Sequence, residues 1–323
     1  MKNIAILTSG GDSPGMNACI RAIVRSANQK EIQVYGIQYG YKGLINNDFN
    51  LLTPYEVGNT IHIGGTILKS ARSEEFMTKK GRNKAYNNLQ LNNIDGLIVL
   101  GGDGSLTGAK IFVEEFNFKV IGIPCTIDND IYGTDYSIGF STARETVVNA
   151  IDKIRDTASS HERIFIVEVM GRESGFLALE SGVASGAELI LIPENKNSMQ
   201  EVIHNIKEIN DKKKSVIIVY AEGCNFGTLN ELSKNIKNNI KDSNVRVSIL
   251  GHIQRGGIPS PSDRILGSVL GYESINKITE GVSNKMIGIR DQKPITVDLY
   301  DAISKKKEID LSLNKMSDTI SKY

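Results

Sequence analysis

Thr8-Ser9-Gly10-Gly11-Asp12-Ser13-Pro14-Gly15-Met16-Asn17 follows an apolar run at residues 4–7 and opens into a helical pattern at residues 17–28. A buried strand that breaks into adjacent glycines and re-emerges as a helix reads as the first βα unit of an α/β sheet. The glycines let the backbone approach a ligand closely, with N–H groups at a helix N-terminus free for phosphate oxygens. Taken alone, the same stretch also reads as an ordinary tight βα turn.

Outward from this stretch, short apolar runs recur at residues 33–37, 97–100, 120–123, 164–169, 189–192, 216–219 and 245–250. Helical patterns lie between them at residues 106–115, 142–156, 199–210 and 263–278, and Val147, Ala150, Ile151 and Ile154 form one apolar stripe. Ser198 with Glu201 three residues on is a capping-box signature. Strands alternating with helices predict a mostly parallel sheet covered on both faces. No low-complexity linker divides the chain, and the loops near Gly139 and Gly251 are the candidate domain junctions. The charged, weakly amphipathic residues 303–323 read either as a docked last helix or as a frayed end.

The chain has 323 residues, enough for two domains or one large one at about 150 residues per domain. Hydrophobic residues are 40% and charged residues 23%, which argues against disorder. Lys plus Arg is 38 and Asp plus Glu 37, a net charge of +1 that gives no support to nucleic-acid binding. No stretch approaches the roughly 18 apolar residues of a membrane span. The run at residues 4–7 is too short for a signal-peptide core. Cys19, Cys125 and Cys224 lack C-x-x-C spacing, and His62, His161, His204 and His252 are scattered. The reading is a reduced, cytoplasmic protein without a structural metal site.

In an open α/β sheet, ligands sit outside the carboxyl ends of the strands. After residues 97–100 comes Gly101-Gly102-Asp103-Gly104-Ser105, again opening a helix. Asp103 is an N-cap or, beside a phosphate loop, a candidate Mg²⁺ anchor. After residues 120–123 comes Pro124-Cys125-Thr126-Ile127-Asp128-Asn129-Asp130. Its two carboxylates read as a solvated acidic turn or as a general base with a second orienting acid. Neither a Walker A loop nor a G-x-G-x-x-G after the first strand occurs. The later part of the chain supplies cations: Arg163, Arg172 after Met170-Gly171, Arg246, and Arg255 after His252. Singly these are surface ion pairs; together, beside glycine turns, they indicate an anionic substrate pocket. Glu222 is placed either as a solvated loop acid or as an acceptor for the hydroxyls of a polyol. Acid-bearing and glycine-rich turns at three strand ends point to metal-assisted chemistry on a phosphate.

Residues 8–17 (TSGGDSPGMN), 101–105 (GGDGS), 126–130 (TIDND), 169–172 (VMGR) and 250–257 (LGHIQRGG) resemble, in this order, the 6-phosphofructokinases, in particular the short bacterial ATP-dependent type. The likeness runs from about residue 2 to at least residue 300. It implies two doubly wound three-layer α/β domains with mainly parallel sheets. The larger, ATP-binding domain would hold residues 1–139 and 252–304, and the smaller, fructose 6-phosphate-binding domain residues 140–251 and 305–323. The substrate is expected in the cleft between them. The implied reaction moves the γ-phosphoryl of MgATP to the 1-hydroxyl of fructose 6-phosphate.

By the same resemblance, Asp128 is the base, Thr126 and Ile127 lie on the sugar, and Gly11 and Arg172 complete the catalytic set. Gly11, Arg72, Ser73, Gly102, Asp103, Gly104 and Ser105 would hold the nucleotide, with Asp103 on Mg²⁺. Met170, Gly171, Arg172, Glu222, His252 and Arg255 would hold the sugar phosphate, with Arg163 and Arg246 reaching in from a neighbouring subunit of a homotetramer. Arg21, Arg25, Arg155, Glu188 and Lys213 match a regulatory site for ADP and phosphoenolpyruvate, whereas Pro54, Asn59 and Ser215 replace family residues there and imply a weakened response.

Gly104 leaves room for a nucleotide where pyrophosphate-dependent relatives carry a carboxylate. Cys125 stands where ATP-dependent members have glycine, and oxidation or alkylation of its thiol is expected to inhibit. Ser73 replaces an aromatic, which opens the choice between ATP and GTP. An NAD kinase, a non-catalytic sugar-phosphate sensor and the pyrophosphate-dependent enzyme are the rival readings.

Overall fold

The structure is a computed structural model that describes residues 1–321 apart from residues 214 and 242. The chain divides into two compact units, Met1–Thr142 with Arg255–Lys307, and Ala143–Gln254 with Glu308–Tyr323. Along the first unit run β1 (Asn3–Ser9), α1 (Met16–Gln29), β2 (Gln33–Ile37), α2 (Gly40–Asn46), β3 (Phe49–Leu52), α3 (Lys79–Leu91), β4 (Gly96–Gly101), α4 (Asp103–Phe116), β5 (Val120–Thr126) and β6 (Ile138–Gly139). Helix α5 (Phe140–His161) then leads into β7 (Ile164–Val169), α6 (Phe176–Ala184), β8 (Leu189–Leu191), α7 (Met199–Lys212), β9 (Val216–Ala221), α8 (Leu229–Asn239) and β10 (Val245–Ile249). The chain closes with α9 (Pro261–Thr279), β11 (Lys285–Arg290), β12 (Lys293–Asp298), α10 (Leu299–Ser304) and α11 (Leu311–Ile320).

In the first unit the strand order is β12-β11-β5-β4-β1-β2-β3, with β6 beside β5. Strands β1, β2, β4, β5, β6 and β11 pair in parallel, and only the edges β3 and β12 are antiparallel. Period-two alternation divides each strand between two cores. Ile4, Ile6, Ile98, Leu100, Ile121 and Ile123 face Cys19, Ile20 and Ile23 of α1 and Leu266, Leu270 and Ile278 of α9. Ala5, Leu7, Leu97, Val99 and Val120 face Leu44 of α2, Leu89 of α3, Leu106 and Phe112 of α4, and Leu299 of α10. The result is a doubly wound, three-layer α/β unit. Its order reverses between β1 and β4, the position where such sheets bind ligands.

The second unit holds a four-stranded parallel sheet ordered β10-β7-β9-β8. Helix α6 packs on β8 and β9, α8 on β10, and α11 on α6. Of the two readings of the tail, the helix is therefore the one found. The Ser198–Glu201 capping box is present at α7, and Thr228 with Glu231 forms a second one at α8. Among the described residues no helix is long and apolar enough to cross a membrane.

Candidate active site

The turns that leave β1, β4 and β5 stand at the carboxyl ends of three adjacent parallel strands, so the sheet register alone gathers them. A Cβ placed on Gly10 would lie 3.2 Å from Ser105 Oγ, and one on Gly102 would lie 3.6 Å from Thr126 Cβ. A Cβ on Gly11 would run into the Arg255 guanidinium. These three close approaches bring Gly10, Gly11, Gly102, Ser105, Thr126 and Arg255 together within the first unit.

Asp128 is 2% exposed, and its N–H donates to Thr126 Oγ1 at 3.2 Å. The next residue, Asn129, is in the left-handed region (φ 53). Its side chain holds the turn: Oδ1 accepts from Ser137 N at 3.0 Å, and Nδ2 donates to Asp135 O at 3.2 Å. Ser137 Oγ donates to Thr126 O at 2.7 Å. The acidic turn is thus a closed, buried loop rather than a solvated one. Asn129 and Ser137 had no role in the sequence reading. Both gain one only once residues 126–129 and 135–137 are seen to meet.

Asp103 is exposed in the first turn of α4, where carboxylates are favoured by the helix dipole. A Cβ on Gly104 would meet nothing within 4 Å, so this helix N-terminus is open. Among the described residues no group of three or more His, Cys, Asp or Glu is disposed to hold a metal ion. One exposed carboxylate at an open helix N-terminus fits Mg²⁺ that arrives with phosphate oxygens and keeps several waters.

The segment leading to Arg72 and Ser73 is stitched to the first glycine turn. Thr8 Oγ1 donates to Lys69 O at 2.8 Å, and Ser70 Oγ to Gly10 O at 2.5 Å. Buried Asn17 donates to Ile63 O at 3.0 Å and accepts from Ile67 N at 2.8 Å. Ser73 Oγ accepts from Phe76 N at 3.3 Å, and Phe76 stacks on Tyr41 at 3.8 Å between ring centroids. Phe76 is thereby part of the buried core with Tyr41 and Phe112.

In the second unit, the turns after β10, β7 and β9 again stand side by side. Glu222 Oε1 accepts from Arg172 N at 2.7 Å and Gly171 N at 3.3 Å, fixing a turn in which Arg172 has φ 53. Gln254, fully buried, accepts from Met170 N at 3.1 Å and donates to Gly251 O at 2.9 Å. It ties the turn bearing Met170, Gly171 and Arg172 to the turn bearing His252. Arg163 and Arg246 lie elsewhere. Arg163 precedes β7 and Arg246 pairs with Phe165 near its start, so most of the length of β7 separates both from Arg172, which follows its far end.

Of the regulatory candidates, Glu188 is buried and meets Arg155 at 3.1 Å, Lys213 at 3.3 Å and Ile217 N at 2.8 Å, all within the second unit. Arg21 and Arg25 share a face of α1 in the first unit. Partial burial, and then the charge of Arg25, pull Arg21 below the usual guanidinium range.

The thiol of Cys125, whose modification is expected to inhibit, is shielded in the structure. The residue is 1% exposed in the apolar core beside β1 and α1, and burial, followed by Cys19 and Asp263, pushes its thiol well above the usual range. A buried, protonated thiol is a poor nucleophile.

Sequence and structure comparisons bear on this site. The model of the family described as Phosphofructokinase matches residues 3–278. An ATP-dependent 6-phosphofructokinase of Natranaerobius thermophilus is 51% identical over 322 residues, covering 99% of this chain and all of the relative. One of Cytophaga hutchinsonii is 47% identical over 321 residues, covering 99% of this chain and 98% of the relative. The crystal structure of Pichia pastoris phosphofructokinase in the T-state matches with a TM-score of 0.89 and 36% identity over 94% of this chain, which spans 35% of that longer chain. The chain belongs to the phosphofructokinase family.

Proposed function

We propose that the protein transfers the γ-phosphoryl of MgATP to the 1-hydroxyl of fructose 6-phosphate, giving fructose 1,6-bisphosphate and ADP as a glycolytic enzyme of the cytoplasm. The observation that carries this reading is the meeting of two glycine-rich turns, the buried Asp128 loop and Arg255 at the ends of β1, β4 and β5. Phosphoryl transfer needs positioning and charge neutralisation more than covalent chemistry, and this arrangement supplies both kinds of group.

In this reading Asp128 takes the proton of the 1-hydroxyl as it attacks, and Thr126 and Ile127 orient the sugar. Gly11, Gly102, Gly104 and Ser105 present backbone to the phosphates, with Arg72 and Ser73 further along the nucleotide. Asp103 holds Mg²⁺, which when bound neutralises charge on the phosphate oxygens. Arg172, held by Glu222, faces the transferring group, while Met170, Gly171, Glu222, His252 and Arg255 bind the sugar phosphate. The distance of Arg163 and Arg246 from Arg172 supports their serving a neighbouring subunit's substrate, hence a homotetramer with shared sites. The cluster of Arg155, Glu188 and Lys213, together with Arg21 and Arg25, supports an effector site of altered response, because Pro54, Asn59 and Ser215 bring no side-chain cation to it.

The test is a coupled assay with fructose 6-phosphate and Mg²⁺, comparing ATP with pyrophosphate, and Asp128→Asn beside the wild type. Turnover with ATP alone is expected, and the variant is expected to lose about 10²- to 10⁴-fold in kcat while still binding both substrates. Binding without turnover in the wild type would favour a sensor, and full turnover in Asp128→Asn would overturn the role of that residue.

A further inference from the structure

Three successive residues, Ser137, Ile138 and Gly139, each touch a different part of the site's framework. Ser137 Oγ donates to Thr126 O at 2.7 Å. Ile138 O accepts from Ser13 Oγ at 2.9 Å, so it belongs to the first glycine turn as well. Gly139 N donates to Asp263 Oδ1 at 2.8 Å. Gly139 and Ile138 also pair with Thr126 and Cys125 as β6 against β5. This tripeptide is the point where the turn after β1, the Asp128 loop and the start of α9 are joined.

Asp263 is what anchors it. Gly139 immediately precedes α5 and has φ +105, and a Cβ there would collide with Ser13. A glycine has no side chain with which to cap the helix it introduces. Asp263, from the first turn of α9, does so instead, accepting from Thr142 N at 2.7 Å and Thr142 Oγ1 at 2.5 Å as well as from Gly139 N. At its own helix, Ser260 Oγ accepts from Asp263 N at 3.2 Å, and Ser260 N donates to Thr142 Oγ1 at 2.9 Å. A carboxylate that is 1% exposed therefore caps α5 from the first turn of α9, whose own cap is Ser260. Burial pushes its carboxyl above the usual carboxylate range, and the hydrogen bonds from Thr142, Gly139 and Ser260 offset only part of that rise.

We propose that Asp263 is a positioning residue for phosphoryl transfer: by fixing Gly139 and Thr142 it holds Ser137 and Ile138 where they bind the Asp128 loop and the first glycine turn in mutual register. The inference rests on the functional reading above, in which Asp128 is the base. Misplacement of a reacting group by about 1 Å costs roughly 100-fold in rate.

The test is steady-state kinetics of Asp263→Asn on the full chain, well below its melting temperature, with Asp128→Asn as reference. The amide keeps one acceptor oxygen, so either Gly139 N or Thr142 N is left facing an N–H donor. We expect kcat to fall by about 10- to 100-fold, a larger change than in KM for either ATP or fructose 6-phosphate. A kcat within about twofold of wild type, with only a lowered melting temperature, would overturn the inference. Should Asp263→Asn fail to fold, Thr142→Val and Thr142→Ser decide. The serine, which keeps the hydroxyl, should retain the wild-type kcat and the valine should lose several-fold; equal values would overturn the inference. Turnover absent in the wild type or intact in Asp128→Asn would instead mark failure of the functional reading itself.

Discussion

The turns at residues 10–15 and 101–105 look alike as sequence and differ as objects. Each follows a buried strand, carries adjacent glycines and an aspartate, and opens a helix. In the first, glycine serves packing. Gly15 has φ +105, and a Cβ there would lie 2.8 Å from Ile138 Cγ2 and 3.1 Å from Asp263 O. In the second, Gly104 has open space on every side. Gly15 is crowded because it belongs to the framework, and Gly104, uncrowded at a helix N-terminus, leaves room for a ligand.

That contrast can be broken by substitution. The largest effect is expected from Gly104→Asp: a carboxylate facing the phosphates should cost several kcal/mol, about 100-fold or more in kcat/KM for ATP, with the fold unchanged by circular dichroism. Next comes Gly15→Ala, where overpacking and a left-handed backbone together should destabilise the protein by at least about 2 kcal/mol in denaturant titration. Gly104→Ala should do the reverse and leave stability equal or raised by up to about 1 kcal/mol, since alanine suits a helix interior better than glycine. Equal destabilisation by the two alanine substitutions would erase the distinction. The smallest effect is expected at Cys125: incubation of the folded protein with an alkylating reagent should leave that residue unmodified by mass spectrometry and the activity intact.

Much of this was legible in the chain itself. Runs at residues 97–100 and 216–219 announce β4 and β9 because both strands are buried on two faces and read as unbroken apolar stretches. The edge strands β3 and β12 escaped notice because half their side chains face solvent and the apolar signal is diluted. The capping box at Ser198 was read, while the identical pattern at Thr228 passed unread among polar neighbours. Chemistry-bearing residues stood out through their turns. Their supports did not: Asp263 caps a helix that begins over a hundred positions earlier, and nothing local to either segment announces it. Gln254 and Asn17 were hidden for the same reason, since a buried amide looks ordinary until its distant partners are known.

The two-segment composition of the first unit has a consequence for how the protein is made. Its N-terminal segment, Met1–Thr142, contains β1, β4, β5 and α1 but not α9, the second helix on the same face. Leu266, Leu270 and Ile278 of α9 arrive only after the whole of residues 143–254 has been synthesised. Until then the apolar face of Ile4, Ile6, Ile98 and Ile121 is covered only in part, by α1, and a chain that stops short of α9 leaves the rest exposed. Synthesis therefore passes through a long interval in which the nascent chain is vulnerable to aggregation, and the closing of that interval falls to Gly267 and Gly271, which let α9 seat directly on the backbone of α1.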